Sequence, residues 1–156
     1  MIAGEGTQLI RRAAKDIFEF IVDFERYNKA DHKIGTVHTV RWHGDHGEIH
    51  YDARFRGVPT PAVRQRITVQ PFRRIDIRST PGTFAHFMGP FHGLFTFEEL
   101  GDGVTRVFHR EEMSFRAPFK WIIEPLLRVW LADDVRQEVL RLKELLETPD
   151  DPRAPR

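Results

Sequence analysis

Two side chains able to move protons, His109 and Glu111, stand two residues apart in the run VFHREEM. On a strand that spacing puts both on one face, with backbones about 7 Å apart. An imidazole and a carboxylate so placed can act as general acid and general base on a substrate carbon held between them. Apolar alternation through Val107, Met113 and Phe115 assigns that face to the interior. A carboxylate buried without a partner is costly or takes up a proton. Solid packing at this point therefore gives way to a partly wet cavity, with Gly93 across the hairpin leaving room, or a bulge shifts the parity by one and turns both residues to solvent. His38, Tyr51 and Gln65 are further polar residues at inward positions on other strands, and the cavity reading accommodates all of them.

Other chemistries find little support. His43, His46 and His50, with Asp45 and Glu48, gather near one turn, and three imidazoles can hold zinc. Strand parity turns His43 and His50 outward and leaves His46 at the turn, so no metal is expected. There is no cysteine, hence no thiolate metal site, disulfide framework or thiol nucleophile. A phosphate-binding glycine loop and a nucleophile elbow are also missing, and no cofactor is expected.

The elements that must carry His109 and Glu111 follow from periodicity. Residues 7–12 read as a strand, KDIFEFIVD at 15–23 as a helix packing through Ile17, Phe18 and Ile21, and 24–30 as a second short helix. From Ile34 to Phe115 the period is two, broken by turn signals at Gly44–Gly47, Gly57–Pro61, Gln70–Phe72, Pro81–Gly82 and Gly101–Gly103. That makes about six hairpin-linked, antiparallel strands. Loop geometry sets Trp42 opposite Ile49, Val40 opposite Tyr51 and His38 opposite Ala53. It also sets Phe97 opposite Val107, Phe95 opposite His109 and Gly93 opposite Glu111. Val63, Gln65, Ile67 and Val69 share the inner face with Ile75 and Ile77. Pro118–Glu147 reads as one long helix whose first half, WIIEPLLRVWLA, is apolar on nearly every side, with a kink or break expected at Pro125.

With 156 residues the chain suffices for one domain, assigned to residues 1–147, and the polar, proline-rich 148–156 read as a disordered tail. Lys plus Arg (24) nearly balances Asp plus Glu (23), so no global field draws the chain to nucleic acid or to an anionic membrane. No signal peptide is visible, and Glu124, Pro125 and Arg128 interrupt the most apolar segment short of membrane-spanning length. A cytoplasmic protein without membrane insertion is expected.

The stretch IRRAAKDIFEFIVDFERY at 10–27, followed by GPFHGLFTFEELGDGVTRV at 89–107 and the long terminal helix, resembles the polyketide cyclase/dehydrase branch of the START-like, helix-grip (SRPBCC) superfamily in order and spacing, over about residues 7–147. The resemblance implies an α+β fold in which an antiparallel sheet of about seven strands curls round the C-terminal helix, with two short helices after the first strand and a hydrophobic tunnel between sheet and helix. The superfamily uses this scaffold for lipid carriers, plant hormone binders, aromatases and cyclases. Three departures stand out: Asn28 where proline is common, Ala30 where tryptophan is common, and His109 and Glu111 where inward apolar residues are common.

Under this reading Pro118–Glu124 forms a short lid-like turn, and Leu126, Val129, Val135, Val139, Leu142 and Leu146 grip the sheet. Trp121, Ile122, Leu126, Val129 and Trp130 wall the cavity opposite Phe95 and Phe97, and Phe84 and Phe87 sit in an apolar loop at its mouth. Three functions remain open. The first is binding or carriage of a hydrophobic small molecule (a lipid, quinone or polyketide-like compound), with Tyr51, Gln65, His109 and Glu111 meeting its polar groups. The second is a cyclase or dehydratase of the aromatase type, using His109 and Glu111 as acid and base. The third is a protein-interaction module. The chain is expected to be a monomer or homodimer.

Overall fold

The structure is a computed structural model and describes residues 1–80 and 88–148, with the backbone alone at Met88. Phe84 and Phe87 therefore lie outside the described residues. The chain opens with β1 (Ile2–Ile10), turns through α1 (Ala14–Val22) and α2 (Phe24–Tyr27), and then runs through β2 (Ile34–His43), β3 (His46–Phe55), β4 (Val58–Gln70), β5 (Arg74–Ser79), β6 (Met88–Gly101) and β7 (Val104–Phe115). It closes with α3 (Phe119–Glu147). The strands form one curved, seven-stranded antiparallel sheet in the order β1-β7-β6-β5-β4-β3-β2, gripping α3. Among the described residues no helix is long and apolar enough to cross a membrane.

β1 starts earlier than its sequence suggests, because two glycines let a helix lie against it. A Cβ at Gly4 would come within 2.5 Å of the Leu131 carbonyl oxygen, and one at Gly6 within 2.6 Å of the Val139 side chain. Strand and helix thus approach with no side chain between them. Along the stripe facing the sheet, Leu131, Val135, Val139, Leu142 and Leu146 are buried at the helical repeat. The grip expected of these last four residues is present. Leu126 and Val129, expected to extend it, instead face solvent, and no lid-like turn precedes them. The break expected at Pro125 does not occur either, and the helix runs through it. Pro125 is exposed, and so is Trp121, the residue one turn before it whose carbonyl Pro125 leaves without an N–H donor.

The β6–β7 hairpin has the expected register, Phe97 opposite Val107, Phe95 opposite His109 and Gly93 opposite Glu111. Its connection carries positive φ at Gly101 (94°), Asp102 (53°) and Gly103 (69°). β4 and β5 likewise pair Ile67 with Ile77 and Val69 with Ile75. The β2–β3 hairpin departs from expectation. Its tight turn over Gly44 and Asp45, with Gly44 at φ 59°, sets Trp42 opposite Gly47 and Val40 opposite Ile49. Irregularities on either side of Val37 then bring Val37 opposite Tyr51 and Ile34 opposite Ala53. Those irregularities turn His38 outward.

Candidate functional site

His109 and Glu111 point into the interior, 1% and 3% exposed. No bulge interrupts β7 at this point, because β7 pairs in continuous register with β1 from Ile2 to Ile10. The imidazole stacks on its cross-strand partner Phe95, ring centroids 3.7 Å apart and 4° from parallel. Its Nδ1 donates to the Leu94 carbonyl at 3.0 Å, which fixes the ring and leaves Nε2 as the atom facing the carboxylates. Nε2 lies 3.1 Å from Glu138 Oε1 and 3.5 Å from Glu111 Oε1. Neither contact is aligned as a hydrogen bond, and both His109 Nε2 and Glu111 Oε2 are buried without a hydrogen-bond partner.

These two residues are part of a larger ionic cluster that the sequence reading missed. The chain leaves α2 at Tyr27 and turns at Asp31, whose carboxylate accepts from the Lys33 N–H at 2.9 Å. The turn sends the Lys33 ammonium inward, where it lies 2.7 Å from Glu138 Oε2, 2.7 Å from Asp134 Oδ2, 3.0 Å from Asp31 Oδ1 and 3.4 Å from Glu111 Oε2. The Tyr27 hydroxyl donates to Glu138 Oε1. One signal was available beforehand. Asp134 and Glu138 fall among Leu131, Val135, Val139 and Leu142, on the face that the helical repeat buries. A carboxylate there needs a buried cation, and Lys33 supplies it.

Mutual proximity sets the protonation states. Burial alone would lower the His109 pKa, but the charge of Glu138 and contacts with Glu111 and Glu138 raise it to about 10, so the imidazole is charged at neutral pH. Burial would likewise strip Lys33 of its proton, yet Asp31, Glu111, Glu138 and Asp134 hold it well above the usual lysine range. Burial pushes the Glu138 carboxyl up, and Lys33 and His109 more than reverse this, so it stays ionised well below the usual carboxylate range. Asp31 moves the other way: burial and the Glu138 charge raise its pKa, outweighing Lys33. Burial, reinforced by Glu138, keeps Tyr27 protonated far beyond the usual phenol range.

The cluster forms the inner end of a cavity of about 440 Å3 whose apolar wall includes Ile49, Phe55, Ile77, Phe91, Phe95 and Met113. Tyr51 and Gln65 line it as expected. Gly93, beneath Phe91 and Ile77, keeps the floor open opposite Glu111. Other expected wall residues lie elsewhere. His38 is on the outer face, bonded to Asp52 at 2.8 Å. Phe97 belongs to the closed core beside Phe18 and Phe95. Trp121, Ile122, Leu126 and Val129 are on the solvent side of α3, between 67% and 74% exposed. Trp130 stands one layer behind the wall, against Phe55. The apolar girth of the helix thus reflects two separate faces, one buried and one open.

Cation-holding geometry exists within the cluster, where His109, Glu111 and Glu138 converge, as do Asp31, Asp134 and Glu138. The Lys33 ammonium already lies against Glu138, Asp134 and Asp31. His43 and His46 face each other across the β2–β3 turn, and His50 lies beside His38, 5.1 Å between ring centroids.

A cavity closed at one end by buried charges, under a helix gripped by a curved antiparallel sheet, defines a helix-grip protein. The chain belongs to the family described as polyketide cyclase / dehydrase and lipid transport, whose sequence model matches residues 1–147. Among solved structures it is similar to a START superfamily protein from Mycobacterium smegmatis, with 15% identity, TM-score 0.74 and coverage of 93% of this chain and 97% of that one. The Zhui aromatase/cyclase from Streptomyces sp. R1128 is similar at 14% identity and TM-score 0.69, over 92% of this chain and 94% of that one. The Aha1 dimer from Colwellia psychrerythraea is similar at 15% identity and TM-score 0.63, over 96% and 99%. At such identities the likeness shows the fold. No curated protein matches the chain in sequence.

Proposed function

We propose that the protein binds and carries a hydrophobic small molecule, of the lipid, quinone or polyketide-like class, in the cavity between sheet and α3. One observation carries this reading: a void of about 440 Å3 with apolar walls is lined by two buried polar atoms, His109 Nε2 and Glu111 Oε2, that have charged neighbours but no hydrogen-bond partner. Sites for small molecules combine such walls with a few convergent polar groups. The imidazolium offers a donor and the carboxylate an acceptor, so a hydroxyl or carbonyl on an apolar body would satisfy both. Native mass spectrometry of the purified protein is expected to reveal a bound apolar compound, or a fluorescent fatty acid probe to bind and be displaced. In Gly93→Val, whose added methyl groups enter the floor of the void, probe affinity is expected to fall by about tenfold or more, with folding kept. A protein that is repeatedly empty and takes no probe would overturn the reading.

A second reading, a cyclase or dehydratase, is favoured by the 3.5 Å separation of His109 Nε2 and Glu111 Oε1. In water loss from a β-hydroxy ketone, Glu111 would take the proton from the α-carbon. His109 would donate its Nε2 proton to the departing hydroxyl, which leaves as water while the carbon–carbon double bond forms. Proton transfer from Glu111 back to His109 resets the pair. Turnover of a poly-β-keto substrate should then disappear in both His109→Ala and Glu111→Gln, and turnover that survives in both would exclude these residues from the chemistry.

A further inference from the structure

The exposed side of the first half of α3 has no role in the cavity. Trp121 is 74% exposed, Ile122 67%, Leu126 68% and Val129 69%. At 100° per residue these four fall on one arc of the helix, opposite the arc on which Glu124 and Leu131 are buried and Leu127 is half-buried. Arg128 is exposed at the edge of the open arc, and Arg116 and Lys120 are exposed at the N-terminal end of the helix. Glu124 is the only carboxylate between Met113 and Ala132, and it turns inward onto the Phe115 N–H at 3.2 Å and the Met1 ammonium. The open face is therefore apolar with a rim that is cationic on balance: Arg116, Lys120, Arg128 and Arg136 outnumber Asp133, which lies on the same arc 3.7 Å from Arg136. The same character continues onto the β3–β4 hairpin, where Arg54, Arg56 and Val58 are exposed and Phe55 packs on Trp130 of α3 at 5.9 Å.

We infer that this face docks on the surface of an anionic lipid bilayer. A helix with a wide apolar arc, a tryptophan and basic flanks lies in the plane of the interface, its apolar side among the acyl chains and its ammonium and guanidinium groups at the phosphates. The net positive charge of the rim favours this occupant over a second copy of the chain, since two such faces brought together would set more like charges than unlike ones against each other. The whole chain is nearly neutral, at +1, so this attraction is a property of one face and not of the molecule. Docking would also orient the cavity. Phe55 belongs both to the cavity wall and to the contact with Trp130, so the docked face and the cavity share one wall residue. The attraction itself does not depend on what the cavity holds.

Flotation of the full chain with vesicles tests the inference. Binding is expected to be at least about tenfold tighter to phosphatidylcholine mixed with phosphatidylglycerol than to phosphatidylcholine alone, and to weaken as salt rises. The variant Trp121→Glu/Leu126→Glu should lose binding to both kinds of vesicle. Lys120→Glu/Arg128→Glu should lose only the preference for the anionic one. Both pairs are exposed, so unfolding midpoints equal to the parent's are the accompanying expectation, and fatty acid probe binding in solution should persist in both. No vesicle association, or equal association with neutral and anionic vesicles, overturns the inference. A parent that sediments as a dimer and becomes monomeric on Trp121→Glu/Leu126→Glu also overturns it, by giving the face to a second copy.

Discussion

At the residue scale, the organising group is Lys33, a single ammonium within 3.4 Å of four carboxylates from the Asp31 turn, β7 and α3. Each carboxylate alone would be intolerable in an interior, and the lysine makes them tolerable together. Lys33→Met removes the cation and leaves Glu138 and Glu111 facing each other with only His109 between them. We expect the variant to lose about 3–5 kcal/mol of stability in urea denaturation. Combining it with Glu138→Leu should cost less than the sum of the single losses, since the charge left unpaired is then also gone. This cluster was only half legible beforehand. His109 and Glu111 could be located because β7 alternates cleanly and the Gly101–Gly103 connection fixes the register of the hairpin. Lys33 sits in an aperiodic turn, where no pattern tells inward from outward.

At the element scale, α3 divides by face and not along its length. Sequence inspection shows an apolar girth but not which arc the sheet covers. That was decided by β1, whose glycines admit the helix backbone on the side of Leu131 and Val135. Gly4→Ala tests this directly. Its Cβ would stand 2.5 Å from a backbone carbonyl oxygen, which cannot rotate away as a side chain could, so the helix must shift. We expect a loss of about 1–3 kcal/mol, read as a lowered unfolding midpoint. The β2–β3 hairpin teaches the converse lesson. Its residue types gave strand and turn correctly, yet the irregularities beside Val37 moved His38 to the opposite face, since a one-residue slip reverses every side chain.

At the scale of the whole molecule, burying the cluster ties folding to pH. The His109 pKa is about 10 in the folded chain, against an ordinary 6.5. A raised pKa means that the folded state holds the proton more tightly, so the contribution to stability is full below about pH 6.5 and is lost as pH rises through about 10. The raised Asp31 pKa acts in the same direction. The urea midpoint of the parent is expected to fall across that alkaline range, with a flatter profile in His109→Gln. Equal slopes would show that His109 does not keep its proton in the folded protein.

Sequence alone determined the order of elements, the antiparallel sheet, the grip of Val135 to Leu146, and the inward aim of His109 and Glu111. Each of these follows from local periodicity and turn chemistry, which act over a few residues. Only the tertiary structure decided that Lys33, Tyr27, Glu138 and Asp134 join them, and that Trp121 to Val129 lie outside the cavity. Those outcomes depend on contacts across about a hundred positions of chain, such as Lys33 with Glu138 (105 residues apart). They also depend on which side of a helix a second element happens to cover. Neither quantity leaves a periodic trace in the residues themselves.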